Sequence, residues 1–453
     1  VTRTTIPVAC VQLRAHDRND FAARWPTIYE RIADAARLGA RLIVVPEGTL
    51  PAYVLGAEPV APESLEPAVR ALRSLARQRG VTIVYGGAHV EDGRTVNAAV
   101  AIDRDGEIAG ASAKRFLWHF DRRWYGTGAS LEPVPTSLGP LGLLVCADGR
   151  VPTIAATLAR RGARMLVMPT AWVTNGRDPA NLENVLADLF ITVRARENAV
   201  PIAVANKVGV ELGSVLYCGK SSLVAADGTL VARGGERDEE TIVGTLELAP
   251  EREPRGPAVE PMTSGATSTT ERARVAFTAE CDGAELTWLA HAAALADADV
   301  ALAPAACPGQ PTLVAAAPEG RIAAAGVAAL VVDAARAARP RGLVAERLAG
   351  IDLFVILGPC TDPWTIRIAR TRASELRAYV VILDPGRAAL AIDPEGVPMA
   401  GTFGDYRIAA FAYDRARTAA TGVAPFTDVA EGLRRMEALA AGMPAAARET
   451  EPV

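Results

Sequence analysis

Short apolar runs alternate with amphipathic stretches through the first 250 residues. Ile6 to Gln12 reads as a strand, and the segment after it sets Ile28, Ile32, Ala35 and Leu38 on one helical stripe before Leu42 to Val45 returns as a strand. Val81 to Tyr85 and Val96 to Ile102 are further strands, the latter running into the turn Asp103-Arg104-Asp105-Gly106. Leu143 to Val145, Met165 to Met168 and Ile202 to Ala205 follow, with helices between them, including one from Thr153 to Arg161. Apolar strands interleaved with helices predict an α/β fold, with a sheet covered by helices on at least one face. Residues 251–272 are rich in Pro, Glu, Ser and Thr, lack periodicity and read as a linker. Near the end, Val429, Leu433, Met436 and Ala440 form the stripe of an amphipathic helix suited to docking on a lobe or partner.

The second half repeats the first. Val193-Arg194-Ala195-Arg196-Glu197-Asn198 recurs as Thr371-Arg372-Ala373-Ser374-Glu375-Leu376, and the register then holds from Asn206 to Asp384. The turn at Asp227-Gly228 recurs at Glu395-Gly396, and Ala298 to Pro304 echoes Ala40 to Pro46. The expected organisation is therefore a first lobe over 1–250, a linker over 251–272, a second lobe over 273–430 and a helical tail over 431–453.

Three apolar runs of the first lobe end on reactive groups. Leu143-Leu144-Val145 delivers Cys146 to a polar turn, Leu42 to Pro46 delivers Glu47, and Ala111-Ser112-Ala113 delivers Lys114. A thiol held rigidly at a strand end, beside backbone N–H groups that can receive an oxyanion, is placed as a nucleophile must be. The expectation is that all three groups share one sheet edge. A cysteine at a strand end is, taken singly, more often a small buried apolar group, and a lone Glu47 would be an ordinary turn carboxylate. The repeat argues otherwise. It answers Glu47 with Ala305 and the thiol with Val332, and it largely lacks the Lys114 stretch, so the chemistry is lost where strand and helix signals remain. Arg194 and Glu197, kept as Arg372 and Glu375, read as structural for the same reason.

Half the residues are apolar, 22% are charged and the net charge is −4, which predicts no attraction to nucleic acid or membrane. No run approaches the roughly 18 apolar residues of a spanning helix. Six scattered cysteines without a CxxC pair suit a reducing cytoplasm better than disulfides. The four histidines have no metal-ligand spacing, and no metal or cofactor is expected. The cations are 45 arginines and only three lysines: Lys114, Lys207 and Lys220. A lysine retained against that bias marks a place that needs a compact ammonium rather than a planar fork.

The block GLLVCADGRVPTIAATLARRGARMLVMPTAW around Cys146, with VVPEGTLP around Glu47, RARENAVPIAVANKVG from Arg194 and the looser SAKRFLWHFDRRWYGTG around Lys114, resembles the nitrilase superfamily of carbon–nitrogen hydrolases. The likeness spans about residues 4 to 247. It implies an α-β-β-α sandwich with a Glu-Lys-Cys triad, here in two tandem copies of which the second is degenerate. Cys146-Ala147-Asp148-Gly149-Arg150 matches the Cys-x-Asp-x-Arg of amidases and carbamoyl-amide hydrolases better than the Cys-Trp-Glu of nitrilases. Ala147 stands where the family usually has a larger or hydroxyl-bearing residue. A family loop glutamate is answered by the shorter Asp121.

These residues imply a hydrolase that cleaves the C–N bond of a small amide or N-carbamoyl compound through a cysteine thioester. Lys114 and the Ala147 N–H would hold the oxyanion, and Asp121 would hold Lys114 or orient the amide nitrogen. Trp118, His119 and Trp172 are candidate pocket residues, although aromatics are equally good core filler. Asp148 and Arg150 read as a pair bracing the nucleophile turn. Alternative readings are nitrile hydrolysis, acyl transfer to an acceptor other than water, and a non-catalytic scaffold. Family members commonly pair as dimers, so a pseudo-dimer within one chain or a homo-oligomer is expected.

Overall fold

The computed structural model describes residues 4–56, 60, 64–91, 93–174, 176, 180–256, 265–280, 298–304, 313–315, 320–402, 404 and 406–443. The chain divides into two compact units, Val1–Pro257 with Ala424–Thr427 and Arg435–Val453, and Ala258–Val423 with Asp428–Arg434. No helix among the described residues is long and apolar enough to cross a membrane.

The first unit is built on two sheets. One contains β1 (Thr5–Arg14), β2 (Leu42–Val44), β3 (Thr82–Glu91), β4 (Arg94–Ile102) and β5 (Ile108–Ala113) in that order, extended beyond β1 by other strands of the unit. The other runs from β6 (Leu141–Leu143) through β7 (Met165–Pro169) and β8 (Ile202–Ala205). β1, β2 and β3 are parallel, with Val8 opposite Leu42 and Leu42 opposite Thr82. β3, β4 and β5 form an antiparallel meander, with Glu91 opposite Arg94 and Ile102 opposite Ile108. Helices α1 (Phe21–Arg37) and α2 (Glu66–Arg79) pack on the first sheet, and α3 (Pro152–Arg160) packs on β6 and β7. The sheets meet through β3 and β7, giving the sandwich expected from the sequence. Every residue of β2, β6, β7 and β8 is buried, as strands covered on both faces should be.

The second unit also has two sheets. The strand Arg272–Thr278 pairs in parallel with Val300–Ala303 and antiparallel with Ile408–Asp414. This is the arrangement of β1 with β2 and with the antiparallel strand Glu240–Glu247. Val327–Asp333, Leu353–Leu357 and Tyr379–Asp384 are parallel neighbours, as β6, β7 and β8 are. Among the described residues, no strands of this unit answer β4 and β5.

Strand register corrects one expectation. Leu141 lies opposite Met165, and Leu166 opposite Ile202; Phe354 lies opposite both Leu330 and Val380. Carried along the strands, this register sets Ala334, not Val332, at the position of Cys146, because the strand in the second unit runs on to Asp333. Ala305, the expected answer to Glu47, lies outside the described residues. The linker is also shorter than expected. Arg255 N donates to Arg160 O at 2.9 Å, and buried Ser268 donates to Asp352 at 2.9 Å, so both ends of the 251–272 stretch are tied to their own units. The final helix starts at Val429 rather than 431, and its predicted stripe is buried.

Candidate active site

Glu47 sits three residues past the end of β2, on a turn fastened to both sheets. Its N–H donates to Thr170 O beyond β7 at 3.3 Å, and Thr49 N donates to Gly86 O on β3 at 2.9 Å. The turn lies so close to β3 that a Cβ on Gly86 would come within 2.4 Å of Glu47 Cα. Lys114 follows β5, with its own N–H on Asn97 O at 2.7 Å and its carbonyl accepting from Gly128 N at 2.8 Å. Cys146 opens a 3-10 turn, Cys146–Arg150, in the left-handed region at φ 47°. A non-glycine residue there costs about 1–3 kcal/mol and persists only where its surroundings hold it.

The three groups do not share one sheet edge. Glu47 and Lys114 come from strand ends of the first sheet, whereas Cys146 comes from the second, and the site forms where the sheets face each other. Lys114 Nζ lies 2.8 Å from Glu47 Oε1 and 2.6 Å from Asp121 Oδ2, with all three side chains fully buried. Asn97 Nδ2 donates to the same Glu47 Oε1 at 2.6 Å. Oε2 of Glu47 and Oδ1 of Asp121 are buried and accept no hydrogen bond. The Cys146 thiol is close enough to the Glu47 carboxyl to help draw its pKa down.

Burial raises the Glu47 pKa above the ordinary carboxylate range; the Lys114 ammonium pulls it back and the Asp121 charge pushes it further up. Burial alone would lower the Lys114 pKa, but Asp121 and Glu47 outweigh it and keep the ammonium charged well above its usual range. Burial, and then the Glu47 charge, push the Cys146 thiol up, against the Lys114 ammonium and the nearby polar groups of Thr170 and Ala171. The resting site is therefore an ammonium between two carboxyl groups with a neutral thiol beside them.

Asp148 does not pair with Arg150. Its Oδ1 accepts from the N–H groups of Arg115 and Phe116 at 2.9 and 2.8 Å, while Oδ2 accepts from Val145 N at 3.1 Å and lies 3.3 Å from the Arg115 guanidinium. It ties the Cys146 turn to the start of the Lys114 loop. The Arg150 guanidinium lies 5.0 Å over the Trp118 ring instead. Arg194 donates to Gly149 O at 3.1 Å and Arg150 O at 3.2 Å, and pairs with Glu197 at 2.8 Å. Arg372 does the same to Ala337 O and Ala338 O, and pairs with Glu375. This pair holds a turn in each unit, as the repeat implied.

Trp118 precedes and His119 opens the 3-10 turn that carries Asp121, and the His119 ring packs edge-on against Phe120. Ala147 and Trp172 are buried, the latter just beyond Thr170 and Ala171 with an unpartnered indole N–H. Lys207 reaches Gly48 O at 2.9 Å, beneath the Glu47 turn, whereas Lys220 pairs with Asp188 and Glu236. Asn97, Arg115 and Tyr53, whose ring lies 5.7 Å from Lys114 Nζ, escaped the reading of the sequence. Asn97 carried a signal: an amide inside the apolar run Val96 to Ile102 must find a buried partner.

A model of the carbon–nitrogen hydrolase family matches residues 7–255. A Pseudomonas protegens protein described as a hydrolase in the pqqF 5′ region is 34% identical over 214 residues, 46% of this chain and 72% of that one. An (R)-stereoselective amidase from a Pseudomonas species is 32% identical over 244 residues, 53% of this chain and 85% of that one. The crystal structure of an amidase from Nesterenkonia sp. is 27% identical, covering 53% of this chain and 90% of its own, with a TM-score of 0.48.

Proposed function

Because the chain belongs to the carbon–nitrogen hydrolase family, we propose that its first unit hydrolyses a small amide or N-carbamoyl compound through a thioester on Cys146 and releases ammonia. The observation that carries this reading is the division of labour on Glu47. Lys114 and Asn97 occupy Oε1, which leaves Oε2 free to take a proton in a carboxyl that senses the Cys146 thiol.

As the sulfur attacks the carbonyl carbon, Glu47 accepts the thiol proton, so that no free thiolate has to exist beside two carboxylates. The oxyanion would be held by the Lys114 ammonium and the N–H of Ala147, near the start of the turn; one such donor is worth roughly 3–4 kcal/mol of barrier. Glu47 then gives its proton to the amide nitrogen, the C–N bond breaks and ammonia leaves. Water attacks the thioester next, Glu47 takes its proton, and the sulfur leaves the acyl carbon and recovers that proton. Asp121 holds the ammonium in place throughout by its 2.6 Å contact. The similarity to an (R)-stereoselective amidase favours amide substrates. The test is ammonia release from amides, N-carbamoyl compounds and nitriles, assayed side by side with Cys146→Ala and Glu47→Gln. Turnover lost in both variants is expected; ordinary turnover in either overturns the assignment, and turnover of nitriles alone moves it to nitrile hydrolysis.

A further inference from the structure

We propose that Arg435, on the C-terminal helix, is a positioning residue for Lys114 and Asp121, an inference that rests on the amide-hydrolase reading above. The guanidinium donates to Arg115 O at 2.6 Å and to Gly128 O at 2.8 Å. Those two residues bracket the loop that follows Lys114 and carries Asp121. Gly128 is itself bonded to Lys114 O and packs where a Cβ would meet Ala113 O at 2.2 Å, so the two ends of the loop lie together beside β5. Arg435 clasps both ends with one planar fork, a geometry that a lysine ammonium does not reproduce.

The neighbouring C-terminal residues act on the same loop. Thr427 Oγ1 accepts from His119 N at 2.8 Å, and Phe426 O accepts from the Arg122 guanidinium at 3.1 Å, on either side of Asp121. Two residues beyond Arg435, Glu437 accepts from the hydroxyl of Thr153 in α3, the helix entered directly from the Cys146 turn. Arg435 and residues 424–427 group with the first unit, so a stretch some 300 residues away in sequence completes the frame of the site. To hold an oxyanion the ammonium must keep its place between the two carboxylates, 2.8 Å from Glu47 and 2.6 Å from Asp121, and loosening such a frame costs rate more than binding.

The test uses the full chain. In Arg435→Met, kcat for the best amide should fall about tenfold or more while KM moves less than about threefold. Amide hydrogen exchange over residues 115–128 should speed up, and Arg435→Lys should recover only part of each loss. Guanidinium ion at tens of millimolar should recover part of kcat in Arg435→Ala, where truncation leaves room for the fork between Arg115 O and Gly128 O. Thr427→Val, which removes the His119 acceptor and a 3.3 Å bond to Pro425 O, should give the same pattern in milder form, and it decides the matter if Arg435→Met does not fold. Unchanged kcat together with unchanged exchange over 115–128 overturns the proposal. If the wild type hydrolyses no amide, the functional reading fails. The exchange pattern and the rate of Cys146 alkylation by iodoacetamide in the same variants then decide the positioning claim without it.

Discussion

Replacing Asp148 by asparagine changes one oxygen to an NH2 group in a place that has no use for it. Oδ1 keeps its acceptor role toward Arg115 N and Phe116 N. The new amide nitrogen points at two donors, Val145 N and the Arg115 guanidinium, which occupy the other oxygen in the native protein. Both members of the Asp148–Arg115 pair are fully buried, so no water can take over. Arg115 would still reach Ser130 O, Leu143 O and the Ser112 hydroxyl, but as a buried cation without its counter-charge. Breaking one side of such a pair costs roughly 3–5 kcal/mol, a large part of the ~5–15 kcal/mol that typically separates a folded protein from its unfolded chain. For a unit of this size that is a fall in melting temperature of roughly 6–20 °C.

Urea unfolding followed by tryptophan fluorescence measures the loss directly. A double-mutant cycle with Arg115→Met isolates the pair and should return a coupling within the roughly 0.5–3 kcal/mol typical of contacting residues, toward its upper end. Ammonia release should fall as well, because this carboxylate ties the nucleophile turn to the Lys114 loop. A loss of stability below ~1 kcal/mol, the scale of an exposed pair, with no coupling to Arg115, would refute the reasoning.

Two further outcomes follow from the geometry. Burial, and then the Lys207 charge, lower the pKa of His16 from 6.5 to about 4. The folded chain thus keeps the ring neutral where the unfolded chain protonates it. Its contribution to stability is complete above pH 6.5 and falls as the pH drops toward 4, by roughly 3 kcal/mol in all. His16→Gln should flatten the pH dependence of the urea midpoint in that window, and parallel curves for the two proteins would contradict it. Gly86→Ala would drive a methyl group into Glu47 Cα at 2.4 Å and displace the Glu47 carboxyl, the general base proposed above. Ammonia release should drop about a hundredfold, the usual effect of a 1 Å misplacement, and retained activity would mean that the turn has slack.

Glu47 and Cys146 were legible as candidates because each ends a continuous apolar run, the pattern of a strand buried on both faces, whereas Lys114 follows β5, which is buried only at its end. What such a pattern cannot give is which sheet a strand joins. Glu47, Lys114 and Cys146 look like three ends of one edge in the sequence, yet β6 belongs to the second sheet. Arg115 was invisible for a compositional reason: in a chain with 45 arginines, one more beside Lys114 draws no notice, although it is among the largest fully buried side chains. Tyr53 and Arg435 had no local signal at all, since each is defined only by contacts made across the fold. The buried stripe of the last helix was readable from its spacing; the fork that it carries to Arg115 and Gly128 was not.

The second unit serves as an internal control on these assignments. Its Arg372–Glu375 pair holds the carbonyls of Ala337 and Ala338 as Arg194–Glu197 holds those of Gly149 and Arg150, so this pair needs no chemistry to explain it. The same register carries Cys146 to Ala334 and Asp148 to Arg336. The second change is instructive, because Asp148 is not a reacting group here. Its partners are Arg115 and Phe116, on the loop that leaves β5, and no strand answering β5 exists among the described residues of the second unit. Without that loop, a buried carboxylate at this position would lose the Arg115 charge and two of its three N–H donors and would be costly to keep. The loss of Asp148 is therefore tied to the loss of the Lys114 hairpin, and the loss of Cys146 to the loss of the carboxylate–ammonium pair that the hairpin completes. Fold and chemistry separate along this line: what braces a strand end recurs, and among the described residues what depends on β4 and β5 does not.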